Sequence, residues 1–199
     1  ILQKTIDKTL KLSKNFPTSR PKIVMHLGGM SLDHVVSESP NQLMIERSID
    51  NFKKLSYDYS DVEILPENLP PRPWYLGGQW FQYGFMPADD MIKFCDHFGL
   101  GMTFDVCHAG LYCNHSGVSL QDYASKVKRL ISHMHISDAY GIDGEGVQIG
   151  SGNINFEKVL KEVEDEDFSW VTEIWSGHLH SGSETYRSLH KLAKFKVKL

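Results

Sequence analysis

Five short apolar runs, each leading at its carboxyl side into an acid or a histidine, constrain this chain more than any other feature of its sequence. Lys22-Ile-Val-Met-His26 ends in His26, before Gly28-Gly29. Val62-Glu-Ile-Leu65 runs into Glu67-Asn68, and Leu100 to Phe104 runs into Asp105 and His108. His133 to Ile136 carries His135 and runs on to Asp138, while Trp170 to Ile174 carries Glu173. Each run has strand length, and helical periodicity fills the segments between them. Gln42 to Tyr57 has a stripe of Leu43, Ile45, Ile49, Phe52 and Leu55. Pro87 to Phe98 opens with proline and two aspartates, as a helix start should. Ser119 to Ile131 has Ser119 as its cap, Asn155 to Glu164 follows the fourth run, and Ser183 to Phe195 closes the chain. Ile1 to Leu12 reads as a further amphipathic helix.

Strands alternating with helices predict an α/β fold, a parallel sheet with helices outside. No glycine-rich phosphate fingerprint follows the first strand, which argues against a dinucleotide-binding sheet. In a parallel α/β barrel all strand carboxyl ends open on one face, where catalytic groups gather. Apolar strands have no packing reason to end repeatedly in Glu, Asp and His, and burying such groups unpaired is unfavourable.

At 199 residues the chain reads as one domain over 1–199 with one substantial core. Its 21 Lys and Arg are scattered against 25 Asp and Glu, a formal charge of −4. That distribution disfavours a nucleic-acid partner, which needs clustered cations. No apolar run approaches the roughly 18–20 residues of a membrane span. Three cysteines, Cys95, Cys107 and Cys113, follow no disulfide framework, so a reducing, cytoplasmic location is expected. The absence of an initial Met points to a processed, excised or incomplete polypeptide.

Two Glu, one Asp and one His form an oxygen-rich donor set with one nitrogen. It suits one divalent cation, Mn²⁺, Mg²⁺ or Co²⁺ before Zn²⁺, with positions left for substrate oxygens. A sugar carbonyl and its neighbouring hydroxyl could chelate such an ion. The adjacent carbon would become acidic through a stabilised enediolate, and two facing carboxylates could remove and return its proton.

The order Leu65-Pro-Glu67-Asn68, Phe104-Asp105-Val-Cys-His108, His133-Met-His135-Ile-Ser-Asp138, Gly150-Ser-Gly152-Asn-Ile-Asn-Phe156 and Val171-Thr-Glu173 resembles the xylose-isomerase-like TIM-barrel superfamily over roughly residues 22–175. That superfamily includes sugar and sugar-phosphate isomerases and epimerases, inosose dehydratases and abasic-site endonucleases. The resemblance implies Glu67, Asp105, His135 and Glu173 as metal ligands, with Glu67 and Glu173 doubling as the catalytic acid/base pair. It implies His108 as a substrate contact; His26, Asn68 and Asp138, also at strand ends, are expected beside the substrate on their position alone. The implied substrate is a sugar, sugar phosphate or cyclitol.

Two departures bear on this expectation. The endonuclease branch carries an Asp-x-His that completes a three-metal cluster; aligned on Gly150, this chain has Gly146 where that His would stand. Phosphodiester hydrolysis is therefore the alternative, beside a degenerate barrel that binds a sugar or partner without turnover. In length the chain matches an incomplete (β/α)8 barrel lacking strands 1–2 and the region of strand 8. A missing segment or a second copy would then complete it.

Lesser features have plainer expectations. Pro66 to Met86 reads as a long aromatic loop that favours a substrate lid, with Trp74 against the sugar. His133 is expected to point opposite to His135 and pack between sheet and helix. Cys107, His108, Cys113 and His115 match no common zinc spacing. Glu162 to Asp167 reads as a solvated helix end.

Overall fold

The computed structural model describes residues 2–16, 20–32, 40–54 and 61–195. Its frame is a five-stranded, all-parallel sheet of β1 (Lys22–His26), β2 (Glu63–Glu67), β3 (Met102–Asp105), β4 (Ile131–Ile136) and β5 (Ser169–Thr172). Spatial order equals chain order, so every crossover advances in one direction. This singly wound order produces an arc of barrel; a doubly wound sheet would reverse midway. The arc curls tightly. Lys22 Nζ, on one edge strand, donates across the interior to Ser132 O at 2.5 Å and to Ser169 Oγ at 3.0 Å, beside the opposite edge. The expected incomplete TIM-type barrel is what these residues build.

Among the described residues, seven α-helices accompany the strands: α1 (Leu2–Ser13), α2 (Pro40–Lys54), α3 (Ala88–Phe98), α4 (Val106–Ser116), α5 (Leu120–Val127), α6 (Phe156–Val163) and α7 (Ser183–Leu192). Ser119 Oγ caps α5 by accepting from Asp122 N, and Asn155 Oδ1 caps α6 by accepting from Lys158 N. Gly99, at φ 64°, ends α3 in the left-handed conformation, and its N–H closes on Cys95 O. The end of the expected Gln42–Tyr57 helix, with Leu55, lies outside the described residues.

The core lies between the sheet's outer face and α3 to α6. Phe104, Met134 and Ile136 from the strands meet Met91, Phe94, Tyr123 and Leu160 from the helices, all buried. Each such side chain stabilises the fold by roughly 1.5–3 kcal/mol on burial. A smaller cluster of Ile6, Ile23, Val62 and Ile64 seats α1 on the first two strands.

Three departures from the sequence reading stand out. α4 was not expected, and it begins directly at the end of β3. Pro66–Met86 is not one loop, because Trp74–Tyr75 pairs with Gly78–Gln79 and Phe81–Tyr83 pairs with Gly29–Ser31. Its far end is core: Phe85 is fully buried against Phe94. Finally, the His133 and His135 rings lie on one side of β4, 5.3 Å apart, because residues two apart on a strand share a face. His133 is therefore not wedged between sheet and helix; its Nδ1 meets Ser169 Oγ at 2.7 Å.

Candidate metal centre

Parallel register aligns the polar strand ends in one row. His26 stands opposite Glu67 across β1 and β2, Glu67 opposite Thr103, and Asp105 opposite His135. Glu173 follows β5 directly, and its N–H donates to Ile136 O at 3.1 Å, extending the ladder to the same level.

The four expected ligands converge. Glu67, Asp105, His135 and Glu173 each offer one donor atom, and all four atoms lie within 4.8 Å of one another. His135 Nδ1 is 2.9 Å from Glu67 Oε1, 2.8 Å from Glu173 Oε2 and 3.7 Å from Asp105 Oδ2. Three carboxylates and one imidazole around a common point fit a single hard or borderline divalent cation. Among the described residues, the cysteines take no part in any such group.

Asp105 has two tasks. Its Oδ1 caps α4 by accepting from His108 N at 2.7 Å, which leaves Oδ2 toward His135. The same cap fixes the start of α4 and so delivers His108 to the cluster. His108 Nδ1 donates to Asn68 O at 2.9 Å, and its Nε2 faces Glu145 Oε1 at 3.1 Å. His26 Nε2 meets Glu67 Oε2 at 2.7 Å. Trp74, half exposed, borders a cavity of about 300 Å³ that also touches His26, His108 and Glu145.

Two residues expected near substrate hold the chain instead. The Asn68 amide spans two strand ends: Nδ2 donates to Asp105 O at 2.8 Å, and Oδ1 accepts from Asp105 N at 2.9 Å. Asp138 is fully buried, and its carboxylate accepts backbone N–H groups of Ala139, Gly150, Gly152 and Ile154 at 2.8–3.1 Å. That clamp explains Gly152, whose Cβ would sit 2.2 Å from Ala139 O and 2.4 Å from Asp138 Oδ1.

A family model described as xylose isomerase-like TIM barrel matches residues 6–194. This chain belongs to the xylose isomerase-like TIM-barrel family. Among its relatives, the uncharacterized protein MJ1311 of Methanocaldococcus jannaschii is 33% identical over 132 residues, covering 64% of this chain and 41% of that protein. Among solved structures, a D-tagatose 3-epimerase-like protein superposes with TM-score 0.66 at 20% identity, covering 96% of this chain and 65% of that one. The probable 3-DHS dehydratase AsbF from Bacillus anthracis gives TM-score 0.65 at 16% identity, covering 96% and 69%. At those identities the likeness is one of fold. The chain spans about two fifths of its curated relative and about two thirds of those solved chains.

Within this xylose isomerase-like chain, protonated imidazoles supply the positive charge that the clustered carboxylates attract. Burial opposes the charged form of His135, but its hydrogen bonds to Glu173 and Glu67 prevail and raise it to about 10. Burial likewise opposes a charged His108, yet Asp105 and Glu145 raise it to about 10. For Glu67, burial pushes up, and the hydrogen bonds from His135 and His26 outweigh it and hold the carboxyl low. The His135 hydrogen bond lowers Glu173, whereas burial raises Asp105 to about 7. Positive charge at the centre is what these carboxylates demand.

Glu145 is the residue that sequence reasoning missed. It is an acid between Gly144 and Gly146 in a second hairpin, Asp138–Tyr140 with Gly144–Val147. The flanking glycines were the one available signal, and they do not reveal that the side chain turns toward His108.

Proposed function

We propose that this chain is the catalytic part of a metal-dependent isomerase or epimerase, or a related dehydratase, acting on a sugar or cyclitol. The convergence of four donors from four strand ends within 4.8 Å carries this reading. The donor set favours Mn²⁺, Mg²⁺ or Co²⁺, held by Glu67, Asp105, His135 and Glu173. When bound, the ion would supply Lewis-acid polarisation of a carbonyl and its neighbouring hydroxyl. The epimerase and dehydratase character of the structural neighbours supports the same class.

In this proposal the chain's own residues do the proton work. Glu67 reaches the cluster from β2 and Glu173 from the end of β5, with β3 and β4 between them in the sheet. In this reading Glu173, more than half exposed, takes the carbon-bound proton, and the ionised Glu67, buried and hydrogen-bonded to His26 and His135, passes back one that His26 Nε2 donates to it. Asn68 holds Asp105 in place, and the Trp74 hairpin offers an aromatic face to the apolar side of a ring.

Metal analysis followed by incubation with ketoses, aldoses and inososes in heavy water tests the proposal. One ion per chain and deuterium entering one carbon are expected. Glu173→Gln should abolish that exchange while leaving the fold intact. Exchange undiminished in this variant or in metal-stripped protein would contradict the assignment, and binding without exchange would favour a non-catalytic barrel. The alternative of phosphodiester cleavage predicts three ions per chain instead, and a histidine at position 146, expected of that branch, would clash with Trp175.

A further inference from the structure

Resting on the proposed function, we infer that Glu145 is a specificity-determining residue that accepts a substrate hydroxyl and turns away substrates carrying a phosphate at that position.

Glu145 and His108 together form the wall shared by two cavities. One, of about 280 Å³, contains Asp105, Glu173 and Trp175; the other, of about 300 Å³, contains His26, Trp74 and Gln82. A molecule chelated at the cluster that extends toward the aromatic hairpin must pass this pair. The placement of Glu145 is set by the backbone. Gly144 pairs with Tyr140 and Val147 with Asp138, so two residues stand opposite Ala139 alone. Such a bulge re-aims a side chain and commonly lies beside a site. Gly146 pins it, donating its N–H to Cys107 Sγ at 3.3 Å and accepting from Trp175 N at 2.9 Å.

The Glu145 oxygens differ. Oε1 meets His108 Nε2, while Oε2 is buried and has no hydrogen-bond partner among the described residues. A buried acceptor without a donor is unfavourable, and because the Glu145 side chain is 17% exposed and lines both cavities, a rotation of its carboxylate would pair Oε2 with a donor that arrives with the ligand. A sugar hydroxyl is such a donor; a phosphate, all acceptor, is not. Neither cavity has Lys or Arg among its described lining residues. The two histidines there already face acceptors, His26 toward Glu67 and His108 toward Asn68 O and Glu145. A phosphate placed beside Glu145, away from the metal centre, would meet its carboxylate with no uncommitted side-chain cation among the described lining residues to offset it.

Titration calorimetry on Mn²⁺-loaded protein, with D-tagatose and D-fructose each against its 1- and 6-phosphate, tests this. A free ketose should bind at least tenfold more tightly than its phosphates. Glu145→Gln keeps an oxygen for His108 but replaces the second acceptor with a donor. It should weaken the free ketose about 10- to 100-fold, with Mn²⁺ affinity and melting temperature unchanged. Glu145→Lys should narrow or reverse the gap between free and phosphorylated sugar. Phosphates bound as tightly as free sugars, or Glu145→Gln indistinguishable from the parent, would overturn the inference and leave the proposed reaction standing. No binding of any of these sugars to the metal-loaded protein would count against both.

Discussion

The indole of Trp175 occupies the space into which a side chain on residue 146 would have to grow. A Cβ on Gly146 would meet Trp175 Cδ1 at 2.0 Å, and the residue already sits at φ +66°. A side chain here, where alignment on Gly150 leads one to expect the endonuclease branch's metal-binding histidine, would meet both the indole and a left-handed backbone.

Gly146→Ala should therefore destabilise the fold by about 1–3 kcal/mol, measured by urea unfolding. In a Trp175→Ala background the clash disappears and only the left-handed backbone penalty, about 1 kcal/mol, should persist. Equal losses in both backgrounds would show that the indole is not what excludes a side chain here.

Asp138 makes a second stability prediction. Four backbone N–H groups depend on its two oxygens. Asp138→Asn leaves one side-chain acceptor and turns an NH₂ toward amides that need an oxygen. A loss of about 2–4 kcal/mol is expected, with faster hydrogen exchange at Gly150, Gly152 and Ile154. Unchanged exchange at those amides would refute the clamp.

The sequence disclosed the strand ends because chemistry and packing conflict there: His26, Glu67, Asp105, His135 and Glu173 interrupt apolar runs that have no structural use for them. It concealed α4 because that helix is buried almost all round, from Val106 to Leu111 and again at Cys113, so no polar stripe marks its period. The strands between Trp74 and Tyr83 are two or three residues each, too short for alternation to register. The tasks of Asn68 and Asp138 depend on backbone groups that only the fold brings to them, Asp105 in one case and residues 150–154 in the other. Parity along β4 was available in the sequence, and it places His133 on the His135 side.

Metal binding should release protons. The atom that would coordinate, His135 Nδ1, lies between Glu67, Glu173 and Asp105, with the His133, His26 and His108 rings nearby, and without a cation it holds a proton to about pH 10. Calorimetry of Mn²⁺ binding at pH 7.5, in two buffers of different ionisation enthalpy, should show about one proton or more leaving per ion. The sign for folding follows. A histidine raised in the native state stabilises it fully below its ordinary value of 6.5, and that contribution fades as pH climbs through about 10. In chelator, the urea midpoint should accordingly fall between pH 8 and 10. Ion binding with no proton release would mean that His135 Nδ1 is not a ligand.

Asn68 joins the fold to the metal. Its amide satisfies both the N–H and the carbonyl of Asp105, at the turn where that residue also caps α4. Asn68→Ala would leave two buried backbone groups without partners, a loss of about 2–4 kcal/mol. It would also release the Asp105 carboxylate from its aim at His135, so divalent-ion affinity should fall about 10- to 100-fold. Asn68→Asp keeps an acceptor for Asp105 N but sets a carboxylate against Asp105 O. That variant should bind the ion more weakly than the parent and unfold at lower urea as well. If Asn68→Ala lost stability but kept its ion affinity, Asp105 would be held by α4 alone. The strand-end amide would then be a feature of folding and not of the metal centre.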